Sequence, residues 1–141
     1  MIPLIENVYA SKGLYQKLLG PICKKYDLTD SQIIILQYLA DPNPVDTATK
    51  IVKAQRLKKS VVSMSIDDLE KKGFISSYYQ EGDRKTKHLK VNDTAKPVIK
   101  DARKIQDDCY ELLTDGFDEE DRSRLNRYMK KINRNISRYG K

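Results

Sequence analysis

Apolar positions along the chain recur mostly at helical spacing. Between residues 3 and 26 they fall at Leu4, Ile5, Val8, Leu14, Tyr15, Leu18, Leu19, Ile22 and Tyr26, the three-and-four rhythm of a helix face. Gly13, Gly20 and Pro21 interrupt it. Pro21 is expected to kink or break the helix, because proline has no N–H and its ring crowds the preceding turn. Thr29, after Asp27-Leu28, suits an N-cap, with Asp30 and Gln32 in the turn that follows. The next helix, about 30–39, carries Ile33, Ile34, Ile35, Leu36 and Leu39. A helix apolar on most of its circumference belongs at the centre of a core. Asp41-Pro42-Asn43-Pro44 ends it.

Thr47 then caps a short helix to about residue 54, with Ala48, Ile51 and Val52 inward. A longer helix over 58–72 has its buried stripe at Val61 or Val62, Ser65, Ile66 and Leu69. Gly73 follows as a left-handed C-terminal residue, with Lys71 and Lys72 at the negative end of the dipole. Loose alternation over 74–80 predicts a strand. Glu81-Gly82-Asp83-Arg84 predicts a turn, and 87–91 the return strand. Asn92 or Asp93 caps a helix to about 114, whose stripe includes Val98, Ile99, Ala102, Ile105, Cys109, Leu112 and Leu113, with Pro97 in its first turn. Asp118 starts the last helix, striped by Leu125, Tyr128, Met129, Ile132, Ile136 and Tyr139.

The order helix, short helix, helix, hairpin is that of a helix-turn-helix with a β-hairpin wing. The predicted fold class is mainly α with a small β-hairpin wing: a winged helix-turn-helix over about 29–92, between terminal helices over about 3–26 and 93–139, in a single domain spanning 1–141.

Charge sharpens this picture. The 141 residues carry a formal charge of +7. The segment 50–90 holds eleven basic residues, including Lys50, Lys53, Arg56, Lys58 and Lys59, against five acidic ones, a net +6. So concentrated a positive field suits a polyanion, because each cation at a phosphate releases condensed counterions. The helix over 58–72 has about the width to enter the major groove of duplex DNA. Its first half is polar and reachable (Lys58, Lys59, Ser60, Ser63, Met64), whereas Asp67, Asp68 and Glu70 in its second half should face away from phosphate. In the hairpin, Arg84, Lys85 and Lys87 would reach a flanking minor groove or the backbone.

Other classes find less support. Cys23 and Cys109 are too far apart for a disulfide framework or a metal cluster, and one histidine, His88, makes metal sensing poorly supplied with ligands. No nucleophile–base pair and no Gly-rich phosphate loop argues for an enzyme. No apolar run approaches the roughly 18 residues of a membrane span, and no secretory signal is visible, so a cytoplasmic location is expected.

Several stretches resemble the MarR family of winged-helix transcription regulators. They are Lys59-Ser60-Val61-Val62-Ser63, Leu69-Glu70-Lys71-Lys72-Gly73-Phe74-Ile75, Gly82-Asp83-Arg84-Lys85 and Leu89-Lys90-Val91-Asn92-Asp93-Thr94-Ala95. Asp27-Leu28-Thr29 and Phe117-Asp118-Glu119-Glu120 are also similar to segments of that family, so the resemblance covers nearly the whole chain in order. It implies a homodimer paired through its terminal helices, a pseudo-palindromic operator on double-stranded DNA, and repression. It assigns Lys59, Ser60, Ser63 and Met64 to the major groove. It assigns Asp83 to orienting Arg84 in the wing by a charge-assisted pair. Met64 departs from the arginine common at the matching position and offers apolar contact.

The dimer has separate support, since the terminal stripes exceed what one small winged domain covers. Two recognition helices would then lie roughly 34–36 Å apart. The resemblance also implies a small aromatic or anionic effector, for which Tyr15, Tyr26 and Tyr38 are candidate contacts. Cys23 beside Lys24 and Lys25 has neighbours that lower a thiol's pKa; a structural thiol is the alternative. The rival to DNA binding is a winged-helix module that binds protein.

Overall fold

The first helix, α1 (Pro3–Tyr26), begins with proline in its first turn, where a missing N–H costs nothing. It continues through Pro21 without a break, contrary to expectation. Proline removes one intrahelical bond there, and both Pro21 and Lys17, whose carbonyl would have accepted it, are exposed to water. Asp27 ends the helix in the left-handed region (φ 53°), its N–H turned back to the carbonyls of Cys23 and Lys24.

Thr29 opens α2 (Asp30–Ala40) with a reciprocal capping box. The Gln32 N–H donates to Thr29 Oγ1 at 3.1 Å, and the Thr29 N–H donates to Gln32 Oε1 at 2.9 Å. Ile33, Ile35, Leu36 and Leu39 are buried, while Ile34 is half-buried. Thr47 Oγ1 accepts the Lys50 N–H at the start of α3 (Ala48–Gln55). Helix α4 (Lys59–Lys71) follows, with Lys58 at its N-cap and no side-chain cap bond. Of the two valines offered by the pattern, Val62 is the buried one. Gly73 then takes φ +79°, open to glycine at no steric cost.

Strands β1 (Ile75–Gln80) and β2 (Asp83–Val91) form a two-stranded antiparallel sheet. The turn is only Glu81-Gly82, with Gly82 at φ +81°. β2 therefore starts at Asp83, four residues before the expected 87. The register explains the discrepancy. Between the pairs Tyr78↔His88 and Gln80↔Asp83, β1 has one residue and β2 has four, residues 84–87. These keep extended backbone without matched partners, so their pattern mimics a loop. A 3-10 turn over Asp93–Ala95 precedes α5 (Lys96–Leu113), so the helix proper starts later than residue 92 or 93. Asp118 caps α6 (Glu119–Tyr139) in a second reciprocal box with Asp121.

The structure, a computed structural model, describes residues 2–55 and 57–140. Arg56, counted above in the basic segment, lies outside them. The chain divides into two units, residues 1–107 and 108–141. In the first, Leu19, Ile33, Ile35, Leu36, Ile51, Val62, Leu69 and Val98 are fully buried in one cluster. In the second, Arg122 grips Glu111 with two N–H groups, Nη1 to Oε1 at 3.0 Å and Nη2 to Oε2 at 3.1 Å. No residue of α6 is buried. Among the described residues no helix is long and apolar enough to cross a membrane.

Because the capping box sets the start of the most apolar helix, Thr29→Ala should destabilise the fold by about 1 kcal/mol. A urea titration should show a lower midpoint with an unchanged slope; an unshifted midpoint would remove the box from the folding account.

Candidate nucleic-acid interface

Helix α4 is held by one face and free on the other. Val62, Ser65, Ile66 and Leu69 are buried, and Gln32 of α2 donates to Asp68 Oδ2 at 2.6 Å. Lys72 Nζ lies 3.1 Å from the same oxygen and donates to the carbonyl of Asp27. The opposite face presents Lys59, Ser60, Ser63 and Met64, all exposed, with Lys58 exposed just before them. The five residues singled out by pattern thus stand together, Lys58 at the N-cap of α4 and the other four in its first two turns. The acidic half is handled residue by residue. Asp68 faces Gln32 and Lys72, and Glu70 faces Lys87, but Asp67 is exposed one turn beyond Ser63 and Met64. The expectation that all three turn away therefore fails at Asp67, because helical spacing returns it to the outer line.

The wing is fixed at its base. The Asn92 N–H donates to the Phe74 carbonyl at 2.9 Å, and Asn92 Nδ2 and Thr94 Oγ1 both donate to the Gly73 carbonyl. Lys87 is tied to the helix it accompanies, its ammonium 2.8 Å from Glu70 Oε1. That carboxylate holds the Lys87 ammonium above the usual lysine range. At the far end, Arg84 and Lys85 are exposed. Asp83 does not pair with Arg84 among the described residues. Its Oδ1 accepts the N–H groups of Lys85 (2.9 Å) and Thr86 (3.2 Å), which keep its carboxyl below the ordinary range. Asp83 therefore shapes the slip over 84–87 directly.

His88, although it stands in a basic hairpin, is buried. Its Nδ1 lies 3.0 Å from Asp46 Oδ2, its ring stacks on Tyr78 at 5.4 Å, and the neighbouring Leu89 N–H donates to the Asp46 carbonyl at 2.8 Å. Asp46 also receives Lys50 Nζ at 3.3 Å. This clasp between the residue preceding the α3 cap and β2 was missed by pattern. Its only signal was a lone histidine beside an apolar residue on a strand.

A cleft of about 640 Å³ is lined by Tyr15 and Tyr38, with Lys12, Gln37, Asp41 and Arg103 among its polar neighbours. The Tyr15 hydroxyl meets Gln37 Oε1 at 3.2 Å. Tyr26 does not line this cleft; its hydroxyl donates to Asp101 Oδ2 at 2.7 Å. Burial, then the Asp30 charge, pushes the Cys23 thiol up, opposite to the shift expected from Lys24 and Lys25. A raised pKa suits a structural thiol, since the thiolate is the reactive form. Among the described residues no group of three or more His, Cys, Asp or Glu could hold a metal ion.

A sequence profile of the MarR family matches residues 26–85, from the end of α1 into the wing. Over that segment the chain is similar to the MarR family. Solved structures share its winged-helix fold over nearly the whole chain. The transcriptional regulator SlyA superposes with a TM-score of 0.83 at 19% identity, covering 97% of this chain and 96% of SlyA. A MarR-family protein of Listeria monocytogenes, solved in complex with a 26-mer DNA, superposes at 0.84 with 20% identity, covering 96% and 90%. A MarR regulator from Methanosarcina mazei Go1 gives 0.83 at 17% identity, covering 96% of each chain.

Within this winged-helix fold the Asp46 clasp yields a pH test. Burial raises the Asp46 carboxyl, but hydrogen bonds from His88 and Lys50 pull it below the ordinary range. A depressed folded-state pKa stabilises the fold above the unfolded value, about 3.9. That contribution is lost as pH falls through the lower folded value. Between about pH 5 and about pH 3, wild type should lose more stability than Asp46→Asn. Parallel thermal-midpoint curves for the two proteins would dissolve the clasp.

Proposed function

We propose that this protein is a cytoplasmic transcriptional regulator, a repressor that binds a pseudo-palindromic operator in double-stranded DNA as a homodimer. In this reading α4 enters a major-groove half-site, Arg84 and Lys85 reach the flanking minor groove or backbone, and a small effector relieves binding. One observation carries it. The first two turns of α4 expose Lys59, Ser60, Ser63 and Met64 while the opposite face is locked into the core. A helix so divided can give its whole outer side to another molecule without loosening its own fold. Its charge favours nucleic acid over a protein partner, because the cores of protein interfaces are depleted of charge.

Support for pairing comes separately from each unit. In residues 1–107, Ile2, Leu4, Ile5, Val8 and Tyr9 at the start of α1 are all exposed. In residues 108–141, Tyr128, Met129, Ile136 and Tyr139 of α6 are exposed. Apolar surface on this scale calls for cover, and a second copy of the chain supplies it. The effector reading rests on the cleft, where Tyr15 and Tyr38 offer ring faces and Lys12 and Arg103 offer positive charge to an aromatic or anionic molecule.

Arg84→Ala should weaken operator binding by about 1–3 kcal/mol. An anisotropy titration against duplexes selected from a random pool measures this, and a change within error removes Arg84 from the groove. The same titration repeated at several salt concentrations should show a steep loss of affinity; salt-independent binding favours a protein partner. Light scattering at micromolar concentration should give about twice 16.3 kDa, and a monomer mass there rejects the paired arrangement.

A further inference from the structure

The reading surface of α4 contains one side chain that polar recognition does not explain. Met64 is 72% exposed, and Val61, one turn earlier, is 37% exposed. Single exposed apolar side chains are ordinary on protein surfaces. Met64 is distinguished by its place. It follows Ser60 by four positions and Ser63 by one, on the outer side of α4, whose first turn is led by Lys58 and Lys59. A serine hydroxyl donates or accepts, so Ser60 and Ser63 accommodate any base edge. A thioether donates nothing and accepts weakly.

The chemistry of the major groove then restricts what can lie beneath it. Guanine shows two acceptors there, cytosine an amino donor, and adenine an acceptor and a donor. Thymine adds to its acceptor the C5 methyl, the single apolar group on any base edge. Methionine seated over a keto or amino group strips its water and returns no hydrogen bond. Seated over the methyl, it buries apolar surface against apolar surface, and the flexible thioether stem adapts its shape to the contact.

We propose that Met64 reads the C5 methyl of a thymine in each operator half-site, making it a specificity-determining residue. This rests on the reading that α4 enters the major groove. Val61 widens the apolar spot on one side, and the two serines flank it with base-tolerant hydroxyls. The discrimination is for the methyl itself and not for the base pair's hydrogen-bonding pattern.

Deoxyuridine separates the two, because it pairs as thymine does and lacks only the methyl. Duplexes selected from a random pool by the wild-type protein define the half-site. Each thymine in it is then replaced in turn by deoxyuridine. Affinities are measured by fluorescence anisotropy at one salt concentration for wild type, Met64→Ala and Met64→Leu, with circular dichroism confirming that each is folded. One thymine per half-site should be sensed by wild type, with binding weakened about fourfold for one half-site and about fifteenfold for both. Met64→Leu should retain most of that penalty, and Met64→Ala should bind the two duplexes alike. Indifference of the wild type at every position, or an undiminished penalty in Met64→Ala, overturns the proposal while leaving operator binding in place. If no duplex is selected by wild type at any salt concentration, the regulator reading fails and this assignment fails with it.

Discussion

A helix with one face left outward has only part of its circumference for its own fold. In α4 that part is the run Val62, Ser65, Ile66 and Leu69, and the core of the first unit holds it. The capping box of α2 fixes where the row of isoleucines and leucines begins, and those residues share a core with Val62 and Leu69. Burying four α4 positions at helical spacing leaves Ser60, Ser63 and Met64 outward by geometry alone. A slip in the helical phase of α4 would swap the two sets, removing apolar side chains from the core and hiding the exposed ones in the same movement.

Polar contacts do the finer placing. Gln32 and Lys72 converge on Asp68, Lys87 reaches Glu70, and His88 and Lys50 converge on Asp46. Each joins elements distant in sequence, apart from the local Lys72 and Lys50 arms. Under the proposed function they also answer an electrostatic problem, since carboxylates near a polyanion's landing surface repel it. Asp68 and Glu70 are neutralised by neighbours, and Asp46 is turned inward. Asp67 remains outward, so the second half of α4 offers phosphate a less favourable approach than the first.

Much of this was legible in the chain because it is local. The phase of α4, the Thr29 and Asp118 caps, the left-handed Gly73 and the presence of a hairpin all follow from spacings of a few residues. What escaped notice depends on pairs far apart in sequence. His88 has no partner in view in the sequence until the fold brings Asp46 to it. Asp83 reads as a partner for Arg84, but its carboxylate is already committed to two backbone N–H groups. Pro21 reads as a break, yet an exposed turn tolerates one missing bond. Of the three tyrosines taken as ligand contacts, Tyr15 and Tyr38 meet at the cleft, and Tyr26 is committed to Asp101, seventy-five positions away.

The mismatch between one residue on β1 and four on β2 has a further meaning. In a regular ladder, adding a single amino acid inverts the inside and outside of every position beyond it. Here surplus length is already confined to one outward stretch, with ordered pairing resumed at Tyr78 and His88. This chain therefore has a place where the arm can lengthen or shorten by single steps while the hairpin's root keeps its inner and outer sides.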